Sequence, residues 1–396
     1  MNNKLISQFF LVLIFTFISP LIILANNNDN IEAIKFREIC KKDLDFVQTQ
    51  LQKNSSPYAN KNDNHFKDWY KDGYKDTVKL IDDILDQDDC YYVMKYYLNG
   101  FDLSHITLKG FYPLPLEQYP GILSAKKNDK HYIIYKQNFI NYLGEVNVGD
   151  IITHINDIAI EDYHTNYLLP FYANDSSEAT SIAASIYALI LDGNGFKPVP
   201  QTITILHNNK SKIIQLKYTN LEKDAAEIAK NIRQPSPNEK FKIELISNGI
   251  WISIPSFLPQ DDEIIYYSSM ISRLKNDFSK EKYIVFDMRG NRGGGSKWSV
   301  PIIRNLWGDD YLKSMGREHD FNEQWIQKIR ISKENFEDFK KYNDDESSKA
   351  YLLALKKNES FFLKKWSIYD STDNLYTHKD NSAFKAKIYV LTDNFC

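Results

Sequence analysis

The sequence predicts a multidomain α/β protein: an N-terminal helical cap, a β-rich middle module and a C-terminal α/β core on a mixed or parallel sheet. Three observations carry this reading. Apolar residues recur at three- and four-residue spacing through Leu98. From Phe101 short strand-like runs alternate with Gly, Pro and Asn turns. Beyond Lys240 an apolar strand, a glycine-rich turn and a helical pattern follow one another. The expected boundaries are residues 1–25 for a leader, 26–100 for the helical cap, 101–230 for the β-rich module and 231–396 for the core.

The leader is argued from Lys4 and the uninterrupted apolar run FFLVLIFTFISPLIILA, which ends in a small residue before the polar NNNDN. This is the pattern of a signal peptide cut after Ala25, so the remainder is expected to be exported, periplasmic or secreted, with no stable membrane insertion after cleavage. Pro20 favours cleavage, and no cysteine follows the run to hold a lipid. The alternative is an uncleaved anchor, since about 17 apolar residues approach the length that spans a bilayer.

Export gives Cys40 and Cys90 two readings: a bridge across the helical cap, or two buried thiols. A bridge would close a loop of about 50 residues and contribute on the order of 4 kcal/mol through the chain entropy of the unfolded state. The third cysteine, Cys396, ends the sequence.

The helical cap is expected over Ile31–Leu51 and Phe66–Leu98, broken by the acidic Asp86–Asp89 and stopped at Asn99-Gly100. Strand-like runs follow in LSHITLKG, HYIIYKQ and DIITHIN. The segment GEVNVGDIITHINDIAI, Gly144 to Ile160, resembles the GD-x-I-x-x-IN repeat of PDZ domains, without their carboxylate-binding loop, and marks a degenerate PDZ-like module. A helix over Ser177–Leu191, capped by Ser176 or Ser177, and strands over Thr202–Leu206 and Lys212–Tyr218 complete it. A charged helix and the polar Arg233–Lys240 form the linker. The core then reads as strands KIELI and IWISI, a helix over Asp261–Phe278, the strand YIVFDM, the glycine turn, a helix ending near Trp307, charged helices filling Asn322–Lys357, and a last buried strand in AKIYVLTD.

Charge excludes one class of partner. With 49 basic and 52 acidic residues the formal charge is -3, and the lysines are interleaved with Asp and Glu. A nucleic-acid binder carries a basic surplus or stripe, so no nucleic-acid partner is expected.

The most informative stretch is FDMRGNRGGGSKW. The chain holds only 15 glycines in 396 residues, yet Gly290, Gly293, Gly294 and Gly295 fall together between a strand and a helix. Such a turn lets backbone approach a ligand and aims free N–H groups at an anion. A phosphate loop needs Lys-Ser/Thr directly after the last glycine, and a dinucleotide fingerprint opens with two glycines one residue apart; neither spacing is present. A nucleotide binder is thus the weaker reading, and no cofactor or metal is implied. The remaining anion is the transient oxyanion of acyl transfer.

YIVFDMRGNRGGG resembles the tail-specific, or C-terminal processing, serine peptidases, including the tricorn core, in which an apolar strand ends in Asp-x-Arg-x-Asn-x-Gly-Gly. Asp287, Arg289, Asn291, Gly293 and Gly294 match that pattern position by position. The resemblance implies that Gly293 and Gly294 supply oxyanion N–H groups and that Asp287, Arg289 and Asn291 support the turn. GFDLSHITL, Gly100 to Leu108, resembles the family's Asp-x-His segment through Asp102 or Ser104 and His105, which makes His105 the implied general base, a role suited to imidazole near neutral pH. Gly249 to Pro255 resembles the family's G-x-W-I-x-I/L-P strand. The other seven histidines, His154 included, lie outside any such motif and are read as structural.

In the family the nucleophilic serine follows the strand corresponding to KIYVLTDNFC by a few residues, and this sequence stops first. The expected function is therefore a serine-type endopeptidase acting on polypeptides through an acyl-enzyme, inactive as this fragment. Neither Ser256 nor Ser296 stands at the nucleophile's place, and a terminal Cys396 lacks a base and a surrounding helix. The alternative is a non-catalytic exported protein that captures an extended peptide on its PDZ-like module.

Overall fold

The computed structural model describes residues 31–60, 62–108, 118–137, 140–220, 241–257, 263, 266, 269–270, 282–291, 293–294, 324–341, 343–367 and 386–392. The apolar leader, the expected linker, most of the Asp261–Phe278 helix, the helix ending near Trp307 and Cys396 lie outside these residues. Two compact units divide the chain, Met1–Ile228 and Ala229–Cys396.

In the first unit, residues 31–54 form a helix whose Ala33, Cys40 and Leu44 are buried, a recurrence of seven and then four residues that lines one face. That face packs on Phe66, Ile81, Ile84, Val93, Met94, Tyr97 and Phe101. Cys40 and Cys90 are joined as a disulfide, their Cα atoms 5.6 Å apart. The bridge ties the first helix to the helix Gln87–Asn99. The break before that helix is a capping arrangement. Asp86 accepts from the Asp89 N–H at 3.0 Å, while Asp89 accepts in return from the Leu85 N–H at 2.8 Å. Asp89 also accepts from the Gly195 N–H at 3.2 Å, and Tyr92 donates to the Asp192 carbonyl at 3.0 Å. These bonds fasten the helical region to the sheet module.

That module is an antiparallel sheet. β1 (Gln118–Tyr119) pairs with β8 (Thr219–Asn220). β2 (Ile122–Lys127), β3 (Lys130–Lys136), β4 (Ile151–Ile155), β6 (Thr202–His207) and β7 (Lys210–Gln215) follow in that order across the main sheet, and β5 (Ile158–Ala159) pairs with β4. Alternation sets the buried face of β6 through Ile203 and Ile205, while a register shift between Ile152 and His154 turns both Ile152 and Ile155 of β4 inward; they join Ile122, Ile133 and Leu189 in one core. The GD and IN residues of the repeat are turn devices. Gly149 takes φ 97, Asp150 accepts from the Asn147 N–H at 2.8 Å, and Asn156, at φ 52, accepts from the N–H groups of Gln201 and Thr202. Ser177 caps the helix Glu178–Ser185, which ends in a 3-10 turn over Ile186–Leu189.

Two expectations are corrected. Leu103–Leu108 is not a strand: Ser104 and His105 form a turn, because Asp102 adopts φ 54 and its carboxylate accepts from the Ser176 N–H and hydroxyl. The stretch expected to be charged helices opens instead on β12 (Gln324–Arg330), antiparallel to β13 (Phe361–Ser367), and only then forms helices at Lys333–Phe339 and Asp345–Lys356. Ser332 and Asp344 cap those helices, and Tyr351, Phe339 and Ile331 form their small core.

The central sheet of the second unit runs β14 (Lys387–Leu391), β11 (Tyr283–Asp287), β10 (Gly249–Ser253), β9 (Lys242–Ile246). β10, β11 and β14 are parallel and β9 is antiparallel, so the sheet is mixed. Phe241, Ile243, Ile250, Ile252, Ile254 and Ile284 form its buried core.

Candidate active site

The glycine turn leaves the middle of that sheet at its carboxyl edge, where loops of a parallel sheet gather. Asp287 ends β11 in register with Ser253 of β10 and Leu391 of β14. The ladders continue one step past it: the Ile254 N–H donates to the Asp287 carbonyl and the Met288 N–H to the Leu391 carbonyl, both at 2.9 Å.

From there the side chains shape the turn. The Asp287 carboxylate is fully buried, and Arg289 closes on it bidentately, Nε to Oδ1 at 2.8 Å and Nη2 to Oδ2 at 2.7 Å. A buried carboxylate is costly unless paired and hydrogen-bonded, which this fork achieves. The Arg289 N–H adds a third bond to Oδ1 at 3.2 Å. Asn291, also buried, donates from Nδ2 to the Ile254 carbonyl at 3.0 Å and accepts at Oδ1 from the Gly293 N–H at 2.7 Å. The Gly293 carbonyl accepts from the Phe257 N–H at 3.0 Å, so the segment after β10 runs alongside the turn as a parallel bridge to Gly294.

Three glycines of the turn have positive φ: Gly290 at 80, Gly293 at 87 and Gly294 at 137. The demand for glycine at 293 is conformational alone, because a Cβ there would meet nothing within 4 Å. Open space lies beside the backbone.

These bonds separate the two glycines that the sequence treats alike. The Gly293 N–H is already given to Asn291, so it is not available to an anion in this conformation. Gly294 is exposed, and among the described residues none accepts from its N–H.

His105 lies in the other unit, exposed on the turn that Asp102 sets, and the Asn174 side chain donates to the Ser104 carbonyl beside it at 3.0 Å. The structure thus gathers Asp287, Arg289, Asn291 and Gly293 into one hydrogen-bonded turn with Gly294 next in the chain, and His105 belongs to the first unit. Among the described residues no group of His, Cys, Asp and Glu is arranged to hold a metal ion. No helix among them is long and apolar enough to cross a membrane.

Two histidines read as structural from the sequence are unusual in their packing. His131 and His164 are buried with ring centroids 5.0 Å apart, and among the described residues neither nitrogen of His131 has a hydrogen-bond partner, the Glu161 carboxylate lying 3.6 Å from Nε2. Burial pushes both down, His131 to about 3 and His164 to about 4. Alternation in HYIIYKQ places His131 inward, but its neighbour across the core comes from a segment 33 positions later that carries no motif.

Mature CPAF superposes with a TM-score of 0.54 at 13% identity, over 90% of this chain and 79% of that one. CPAF complexed with lactacystin gives 0.53 at 12% identity, over 90% and 80%. The chain shares the fold of CPAF. Neither a family model nor a curated relative matches its sequence. At such identity the likeness to CPAF is one of fold, a multidomain α/β arrangement, and the residue assignments rest on the turn itself.

Proposed function

We propose that this chain belongs to a serine-type endopeptidase that hydrolyses polypeptides through an acyl-enzyme, with the Gly294 N–H as an oxyanion donor and His105 as general base. The observation that carries the proposal is the wiring of the turn: two buried side chains, Asp287 and Asn291, hold an exposed glycine backbone at positive φ, and among the described residues none accepts from its next amide. Glycine takes these conformations without steric cost and lets a ligand approach the backbone closely.

In the reaction the serine hydroxyl attacks the peptide carbonyl, His105 takes its proton, and the negative oxygen is held by backbone N–H. One such donor is worth about 3 kcal/mol of transition-state stabilisation, or roughly a hundredfold in kcat. Proton return from His105 to the departing amine leaves the acyl-enzyme, which water then opens. The serine itself is proposed to follow β14.

The test is the polypeptide expressed from residue 26 to its natural stop codon and treated with a fluorophosphonate probe. The proposal expects one labelled serine, labelling lost in His105→Ala, and hydrolysis of an unfolded protein. A folded product that takes no label and cuts nothing overturns it in favour of a peptide-binding role.

A further inference from the structure

Beside the His105 turn the first unit holds an open cavity of about 480 Å³. Trp69, Tyr96, Leu169, Pro170 and Ala173 give it apolar walls, Asp102 and Asp175 stand in its lining, and among the described residues that line it there is no Lys, Arg or His.

Its construction is specific. The Trp69 indole lies in a slot cleared by two glycines: a Cβ at Gly73 would come within 2.4 Å of the ring, and one at Gly100 within 2.0 Å. Indole Nε1 donates to the Tyr97 carbonyl at 2.8 Å, which fixes the ring plane. Both helical walls hang from π-type segments, Trp69–Gly73 on one side and His164–Leu168, which delivers Leu169 and Pro170, on the other. Such bulges re-aim side chains and are frequent at functional sites. Both carboxylates are held in place, Asp102 by Ser176 and Asp175 by the Ser177 N–H at 3.0 Å and the Thr180 hydroxyl at 2.9 Å. Burial works against ionisation of Asp175, yet those hydrogen bonds hold its carboxyl below the ordinary value.

An aromatic face, an aliphatic wall and two fixed carboxylates without a counter-charge are the complement of one kind of side chain. A guanidinium can stack on an indole and pair with carboxylate, while its stem packs on aliphatic groups. A purely aliphatic side chain would cover the carboxylates and give them nothing in return. We propose that this cavity is a subsite for a basic side chain of the polypeptide substrate, arginine foremost. This rests on His105 as the base, because Asp102, which lines the cavity, shares its turn.

The test is calorimetric binding of N-acetyl-arginine methylamide to the intact disulfide-bonded chain, against its citrulline and norleucine counterparts. Saturable arginine binding is expected, with both neutral analogues weaker by about tenfold or more, the order expected for one charge-paired contact. Asp175→Asn should bring arginine down toward citrulline. Gly100→Ala, which displaces Trp69, should weaken arginine as well. Should Gly100→Ala fail to fold, Asp175→Asn decides alone. Norleucine binding as tightly as arginine, no saturable binding at all, or an Asp175→Asn protein with unchanged arginine affinity overturns the subsite. Binding needs no nucleophile, so serine labelling without arginine selectivity sinks the subsite alone, whereas arginine selectivity without labelling counts against the peptidase.

Discussion

Asn291 does two jobs with one amide, bridging the Ile254 carbonyl of the neighbouring strand end and the Gly293 N–H of its own turn. Asn291→Ala leaves the buried Ile254 carbonyl unmet and frees the Gly293 N–H of the exposed turn, so a loss of about 1–3 kcal/mol in urea denaturation is expected. Arg289→Lys keeps the charge but loses the fork on buried Asp287, and should be destabilised by about 1–2 kcal/mol relative to the natural protein in the same assay. A Cβ at Gly293 meets no neighbour, but Gly293→Val must hold φ 87, so folding should largely survive while turnover of an unfolded protein substrate by the unlabelled enzyme falls away. Unchanged turnover would refute the role given to that turn. The motif made these residue types legible. Which amide was spent was not, because that depends on a carbonyl 37 positions earlier in the chain.

At the scale of elements, the legible parts are those whose local signals agree with their packing. YIVF is apolar and pairs with neighbours on both edges; Ser177 precedes a helical run and caps it. Segment 324–330 misled because lysine and glutamine are ordinary helix formers, and only the distant partner 361–367 makes it a strand. LSHITL misled because its alternation is real, while the left-handed Asp102 and its bonds to Ser176, 74 positions away, turn the chain instead. The Cys40–Cys90 bridge joins two helices across a separation of 50 residues. Its reduction should cost about 4 kcal/mol by chain entropy, visible as a lower denaturation midpoint for the first unit with reductant present. Equal midpoints with and without reductant would contradict it.

For the molecule as a whole, pH gives a sharp expectation. His131 and His164 have folded values near 3 and 4, below their ordinary 6.5. Above pH 6.5 both rings are neutral folded or unfolded and cost nothing. As pH falls below 6.5 the unfolded chain binds protons that the folded chain refuses, so stability declines toward pH 4, at up to about 2.7 kcal/mol per pH unit for two rings. Thermal denaturation between pH 7 and 4.5 should show this, and His131→Leu should flatten it; an equally steep profile in that variant would locate the acid sensitivity elsewhere. The central claim concerns a different proton, the one on Gly294. The chain has 15 glycines, so glycine-selective 15N labelling gives a readable amide spectrum. The polypeptide expressed to its stop codon and trapped with a peptidyl trifluoromethyl ketone should show the Gly294 amide moving strongly downfield while the Gly293 amide stays on Asn291. A trapped adduct in which Gly294 does not move, or Gly293 moves in its place, contradicts the account.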